Sequence, residues 1–561
     1  MKKLLALLLA LVMVLGMVAC GAKQEAAPEA APEAAPEAAP EAAPEAAPEA
    51  APEAAPTTMY AIQGPTEVFE IPWFNAGPHT WVKAMFETLI GLEADSSATT
   101  ACGMAASYEM APDGLSASVT LRDGLMWHDG TPVTPEDVVF TFETIPAITD
   151  PVQALVLGGA KNIKEMTVEG NTINFVFEKL NVTQLQAFCQ THIIPKHCFE
   201  GSDITTLQTH AFWQAPIGSG PWKLDSVVMG EYCNLVPFEE YWDGAADFNI
   251  YITPSHIDAD PNFVTKVLDG QLDYAYTKTY ADVQALEGAE GVTVTPVSVL
   301  YTRWINFNQF AKEGVENNLL ADVRVRQAIA HAIDRKLICE QVFGGAADPG
   351  DGTLTPTGTA WKVEGLETYD YNPDKAKQLL AEAGWDSSRV LTMGYYYTDQ
   401  QTQDLVAIMQ QMLAAVGIQI EGWLIEGDTA TLLNSMPDDR ADVKSASNVK
   451  WDLCYAALAA TSYHNYYDRF SSVYGVNNAA PTDPALDAMI DKLMNSASVE
   501  DQMAAYAELE KWGAENLYIM PMYYQPIWLV TTDKVTHNLD LDNLGNPQFD
   551  WNMGMNKWTL K

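Results

Sequence analysis

The chain has 561 residues, with 74 acidic and 31 basic side chains and a formal net charge of −43. That sign argues against a nucleic-acid-binding surface and against a basic membrane-surface role. The length exceeds what a single hydrophobic core supports, so two or more subdomains are expected.

At the start, Lys2 and Lys3 precede an apolar run, Leu4–Val18, of 15 residues. A membrane span needs about 20 residues, so residues 1–19 read as an export signal. The run ends in "MVACG", and Ala19 before Cys20 resembles a bacterial lipobox. That resemblance implies cleavage before Cys20 and a diacylglycerol on its thiol. Two or more acyl chains give stable anchoring, so the expected place is the extracytoplasmic face of the bacterial cell membrane, periplasmic or cell-surface. Residues 25–56 are eight EAAP units. A proline every fourth residue removes amide donors and clashes with a helix. With little apolar area to bury, residues 20–56 are expected to form a disordered tether. Its reach is about 100 Å fully extended and about 35 Å as a coil.

In the remaining part, "LSASVTL" (115–121) alternates as a half-buried strand. Thr134, Pro135 and Asp137 then form a helix start of the capping-box type, with Val138, Val139 and Phe142 as its buried stripe. "TINFVFE" (172–178) is a strand. "GSGPW" (218–222) is a glycine loop without the GK[ST] ending of a phosphate loop. Val325, Ile329, Ile333 and Leu337 recur every four residues and predict one helix with a single buried stripe. Asn372 with Pro373, and Asp483 with Pro484, start two further helices, and Gly384 ends the first. Strands "VLTMGYYY", "IQIEGWLI" and "WDLCYAALAA" interleave with these helices, so the lobes are expected to be α/β.

Six cysteines follow Cys20: Cys102, Cys189, Cys198, Cys233, Cys339 and Cys454. Export permits disulfides, and six thiols allow 15 pairings; free buried thiols are the competing reading. His128 beside Asp129 is read as part of a turn, not as a catalytic pair. His192 and His197, with Cys189 and Cys198 nearby, hold suitable metal donors, but Pro195 interrupts any helix that would align them. No metal and no cofactor is therefore expected. G-x-S-x-G and H-E-x-x-H are absent from the sequence, so no enzyme activity is expected.

Several blocks together resemble family 5 extracellular solute-binding proteins, the peptide/nickel-binding type of bacterial ABC importers. They are "MAPDGLSASVTLRDGLMWHDGTPVTPEDVVFTFE" (110–143), "GSGPWKL" (218–224), "DVRVRQAIAHAIDRKLI" (322–338), "YNPDKAKQLLAEAGW" (371–385) and residues 483–524. The resemblance implies an α/β, two-lobed periplasmic-binding-protein-like fold with an extra subdomain in lobe I. It places the lobe I base at 57–91, 196–303 and 526–561, the inserted subdomain at 92–195 and lobe II at 304–525. Hinge crossings would fall near Arg303–Asn308 and Met522–Pro526.

The same resemblance implies a ligand enclosed between the lobes. The stretch that opens the folded part, "MYAIQGPTEVFEIPWFNAGP" (59–78), would form the first strand of a lobe and one edge of the cleft, with Trp73, Phe74 and Asn75 facing the ligand. From lobe II come Tyr395 and Tyr397, then Tyr455, Ala457, Ala459 and Thr461, then Tyr463, His464 and Tyr466. In peptide-binding members the backbone of the second group pairs with the ligand as an added strand. Those members carry an aspartate for the ligand's amino terminus where this chain has Thr461, and a tryptophan where it has Leu458. The aromatic cluster suggests stacking on flat or sugar-like solutes. The implied function is capture of a small solute, a peptide or peptide-like molecule first, by a monomer that delivers it to ABC permease subunits. Oligosaccharides, opine-like conjugates, and a sensory or adhesion role are the alternatives.

Overall fold

Side-chain caps fix where the main helices begin. In the computed structural model Asp137 accepts a hydrogen bond from the Thr134 backbone N–H at 2.8 Å, starting the helix Pro135–Thr144. Its other oxygen accepts from the Lys196 N–H at 2.8 Å, so the cap also pins a distant loop. Asn372 and Asp483 cap Pro373–Ala383 and Pro484–Met494 from the N-cap position, their side chains accepting from the Lys375 and Ala485 N–H, and Gly384 ends the first of these in the left-handed region. The structure describes residues 57–73, 79–93, 97–149, 154–254, 260–312, 318–427, 439–445, 447, 449–460, 462–473, 479–539 and 554–561.

One expected helix is two. Val323–Ala332 stops, and Arg335–Phe343 starts afresh. The Asp334 carboxylate accepts from the Leu337 N–H at 3.0 Å, which favours a new helix start over continuation. Val325, Ile329 and Ile333 are buried, but Leu337 lies beyond the break and is exposed.

Pro56–Lys561 forms a single compact unit built on three main sheets. The largest has seven strands in the order 292–297, 527–532, 274–277, 57–61, 248–252, 232–237 and 222–228. The strand Thr57–Ala61 runs parallel to both of its neighbours, and the remaining pairs are antiparallel. A six-stranded sheet has the order 348–349, 519–524, 301–307, 453–459, 390–395 and 419–424. A four-stranded antiparallel sheet is made from 105–110, 116–121, 172–177 and 163–169. Helices pack against each of these sheets, which makes the fold α/β.

Burial follows the sheets. One apolar core runs through the seven- and four-stranded sheets, including Met59, Phe142, Phe175 and Ile250. The six-stranded sheet has a core on each face. Leu453 and Tyr455 point into one, and Cys454 and Ala456 into the other, as the two-residue period of a strand requires. The six cysteines described are all free thiols.

The "GSGPW" loop has a steric reason for its glycines. A Cβ on Gly218 would sit 1.7 Å from the Met85 carbonyl oxygen, and one on Gly220 2.6 Å from that of Ala84. The loop is clamped by His128 of the "WHDG" turn. His128 Nδ1 accepts from the Gly218 N–H at 3.0 Å, so Nε2 donates to the Gly220 carbonyl at 2.9 Å. Burial lowers the His128 pKa to about 4, which keeps the ring in the neutral form this clamp needs.

Candidate functional site

The chain passes between the two large sheets twice. Residues 298–300 carry it from the strand Val292–Val297 to Tyr301–Phe307, and residues 525–526 carry it back from Ile519–Tyr524 to Ile527–Thr532. The first passage lies earlier than Arg303–Asn308, because pairing with the strand Leu453–Ala459 already begins at Tyr301. The second falls at the end of Met522–Pro526. The Gln525 side chain donates to the Lys278 carbonyl across this junction. A cavity of about 240 Å³ lies beside both passages, lined by Ser298, Asp348, Thr357, Tyr524 and Gln525 among others.

Arg303 stands at the head of the crossing strand, on an interior strand of the six-stranded sheet. It pairs with Ala457 on one side and Tyr523 on the other. Its guanidinium carbon lies 4.1 Å from the Tyr397 ring centre, 5.1 Å from Tyr301 and 5.8 Å from Tyr455. Tyr301 belongs to the core of the seven-stranded sheet, whereas Tyr455 and Tyr523 belong to one core of the six-stranded sheet. Arg303 therefore sits where two cores meet. Lys278 Nζ is 4.8 Å from the Tyr301 ring centre, so a second cation borders the same place. The tyrosine hydroxyls are engaged with one another, Tyr396 with Tyr397 at 2.6 Å and Tyr455 with Tyr523. Burial pushes the Tyr455 hydroxyl up to about 12 and raises Tyr397 further, against the opposing pull of the Arg303 charge. All remain neutral hydroxyls at physiological pH.

Two of the expected ligand residues, Tyr397 and Tyr455, thus gather around Arg303, and Ala457 is its direct cross-strand neighbour. Ala459 follows on the same face, opposite Tyr301, and is exposed. Tyr395 ends its strand half-buried. Phe74, Asn75, Thr461 and Cys20 lie outside the described residues.

The others lie elsewhere. Trp73 is fully buried and donates its indole N–H to the His192 carbonyl at 2.9 Å. Tyr463 is buried and stacked on Trp361, with ring centres 4.6 Å apart and planes 4° apart. Tyr466 is fully buried in the second core of the six-stranded sheet, its hydroxyl 3.1 Å from Thr302 Oγ1. His464 is buried at a contact with the helix Thr183–Gln190. Its Nε2 lies 2.6 Å from Gln186 Oε1 and its Nδ1 3.0 Å from Asp468 Oδ2, while Gln186 Nε2 donates to Ser462 Oγ at 2.7 Å.

The sequence marks Arg303 only as part of an expected crossing. The available signal was its type: a single cation inside the aromatic and apolar strand "YTRWINF", in a chain with 31 basic residues.

A second polar cavity, of about 230 Å³, lies away from the crossings. Glu87 in its wall accepts from the Tyr241 hydroxyl at 2.8 Å and the Trp242 indole N–H at 2.9 Å. Burial raises the Glu87 pKa to about 7. His192, a metal-type donor by its side chain, lines this cavity, and burial holds it neutral. His197 instead bonds Asp129 at 2.8 Å, and with Cys198 these make the one group of three metal-type donors within 4.8 Å among the described residues. Among those residues no helix is long and apolar enough to cross a membrane.

Two sheets with separate cores, joined by two short passages with a cationic aromatic site at the junction, have the architecture of a solute-binding receptor. A sequence profile for bacterial extracellular solute-binding proteins, family 5, matches residues 100–476, and the chain belongs to that family. A Brucella ovis protein provisionally named an ABC transporter peptide-binding protein is 30% identical over 355 residues, 62% of this chain and 64% of that protein. The match thus spans a little under two thirds of that relative's length. The oligopeptide-binding protein AppA of Bacillus subtilis is 25% identical over 434 residues, 73% of this chain and 74% of AppA. The solved structure of that AppA, in complex with a nonapeptide, superposes with a TM-score of 0.72 at 19% identity, covering 90% of this chain and 100% of AppA. NikZ of Campylobacter jejuni, solved with Ni(L-His), superposes with a TM-score of 0.71 at 20% identity, covering 90% of this chain and 99% of NikZ. At those identities the two superpositions establish the fold.

Proposed function

We propose that this chain is a lipid-anchored receptor that captures a small peptide or peptide-like solute outside the cytoplasmic membrane and delivers it to the permease of an ABC importer. The double crossing carries the reading. Two short passages between separately cored sheets allow hinge motion and resist free rotation, which suits enclosure of a guest. Lobe I would comprise 57–91, 196–300 and 526–561 with the subdomain 92–195, and lobe II 301–525, the boundary expected at 303 moving to the passage at 298–300. A solute that touches both lobes shifts the open–closed balance by its differential affinity, and the permease reads the closed form. Cys20 would hold the lipid, and the EAAP segment would let the receptor reach the permease from the bilayer. The relatives' names favour peptides, AppA most directly.

Thermal denaturation with defined peptide pools tests the capture step. A peptide at 100 times its Kd stabilises the protein by about 2.7 kcal/mol. X-ray scattering on the same samples should show a smaller radius of gyration with peptide present. Unchanged melting and scattering across peptide pools of two to nine residues would remove peptide capture. Membrane reconstitution with the permease separates import from a sensory role.

A further inference from the structure

We propose that Arg303 reads a carboxylate on the bound solute, an inference that rests on the solute-receptor reading above and names the chemistry its ligand must carry. The Nε and Nη1 atoms of Arg303 are buried and have no hydrogen-bond partner. Three other arginines in this protein are provided for. Arg326 donates to the Leu320, Ala321 and Asn516 carbonyls, and Arg335 to those of Thr368 and Tyr369. Arg389 is paired with Asp452 at 2.7 Å. Arg440 leaves Nε as a buried nitrogen without a partner while its Nη2 donates to the Phe470 carbonyl, and Arg469 leaves its buried Nε without one; Arg303 leaves two such buried nitrogens, on an interior strand, with no ion pair among the described residues.

A covered cation without a counter-charge is costly, and buried charges are as a rule paired or hydrogen-bonded. The three tyrosine rings recover part of that cost through cation–π contact, but a ring face accepts none of the in-plane N–H bonds. The acid whose field reaches Tyr455, Asp399, is committed elsewhere: it caps the helix Gln400–Ala414 by accepting from the Thr402 N–H and Oγ1 at 2.8 and 2.9 Å. What is missing is a planar anion. Nε and Nη1 lie on different edges of the guanidinium, and each edge, completed by Nη2, matches a carboxylate with two parallel bonds; Lys278 adds positive charge on the side of the seven-stranded sheet. On the same face Ala457 is partly exposed and Ala459 exposed.

The experiment uses the full chain and three synthetic peptide pools of three to nine residues: free acids, C-terminal amides that retain Asp and Glu, and C-terminal amides lacking both. Titration calorimetry should show at least about tenfold weaker binding of the carboxylate-free pool than of the free acids. The middle pool tells the source. Binding like the free acids points to a side-chain carboxylate, and binding like the carboxylate-free pool points to the peptide terminus. R303M should bind all three pools with the same, weakened affinity. Equal wild-type affinity for free acids and carboxylate-free amides, or R303M discriminating as the wild type does, overturns the proposal.

If no pool binds, peptide capture fails while Arg303 stays testable. Sodium acetate should then raise the wild-type melting temperature above that in sodium chloride of equal ionic strength, and should not do so for R303M. Equal shifts in both proteins overturn the carboxylate assignment. If R303M fails to fold, R303K, which keeps the charge and loses the fork, is measured in its place and should lose the same discrimination.

Discussion

Glu87 offers a quantitative test of the buried electrostatics. Its carboxyl is buried, with one oxygen held by Tyr241 and Trp242 and the other without a partner. Burial raises its pKa from 4.5 to about 7. Below pH 4.5 both folded and unfolded chains carry the proton, so the shift has no effect on stability. Between pH 4.5 and 7 the unfolded chain releases the proton and the folded chain keeps it, so stability falls as pH rises, and the loss is complete above pH 7. At about 1.4 kcal/mol per pH unit the loss reaches about 3 kcal/mol. His128 works in the opposite sense. Its folded pKa of about 4 lies below the ordinary 6.5, so its contribution is present above pH 6.5 and is lost as pH falls toward 4. The wild-type curve alone therefore mixes opposing terms, and Glu510, also raised to about 7 by burial, adds another. The difference between wild type and E87Q cancels both. Glutamine keeps the acceptor for Tyr241 and Trp242 and cannot ionise. In urea unfolding from pH 4 to 8, E87Q should gain about 3 kcal/mol on the wild type across this range. A difference curve that is flat, or that slopes the other way, refutes the assignment of Glu87 as a neutral buried acid.

Four substitutions at three positions test packing elsewhere in the fold. Tyr463→Ala removes a buried ring stacked on Trp361 and should cost about 3–5 kcal/mol in urea unfolding; Tyr463→Phe, which strips the acceptor from the Ala360 N–H, should cost about 1–3 kcal/mol. Gly218→Ala drives a methyl into the Met85 carbonyl and should cost about 1–3 kcal/mol or more, read by the same unfolding curves. Gln186→Ala leaves Ser462 and His464 without their shared partner and should cost about 1–3 kcal/mol. Amide exchange should quicken in residues 462–466 and in Thr183–Gln190 together; faster exchange in only one of the two segments would show that the contact does not couple them.

The sequence displayed local rules well and long-range placement poorly. Thr134, Asn372 and Asp483 are helix starts because a short polar side chain satisfies an orphan amide within three residues, a relation visible along the chain. The break at Asp334 was equally local, but a regular apolar stripe masked it, since period alone does not register a competing cap. The ligand positions depended on which face of a strand looks where. Tyr455, Ala457 and Ala459 share a face by the two-residue period, and that face carries Arg303. Tyr463 and Tyr466 lie past the strand in a short helical turn, Tyr463–Tyr466, where strand alternation no longer applies. Their rings enter the core because Trp361 and Thr302, more than 100 residues away, wait there. No local pattern reports such partners. Arg303 was hidden for the same reason: its lack of a counter-charge is a property of everything packed around it.

That placement joins the two halves of the functional reading. A carboxylate at Arg303 would meet Tyr301 from the core of the seven-stranded sheet, and Tyr397 and Tyr455 from that of the six-stranded sheet, at the strand through which the chain crosses. Only interactions that differ between open and closed forms can drive closure. A cation far from the passages would bind an anion equally in both forms and move nothing. At the junction, with Lys278 carried by the other sheet, closing would bring two positive groups together around the guest, and their repulsion would oppose closing without it. The unpaired cation would therefore work against closure in the empty receptor and for it in the loaded one, the distinction a permease would need in order to ignore a receptor that carries nothing.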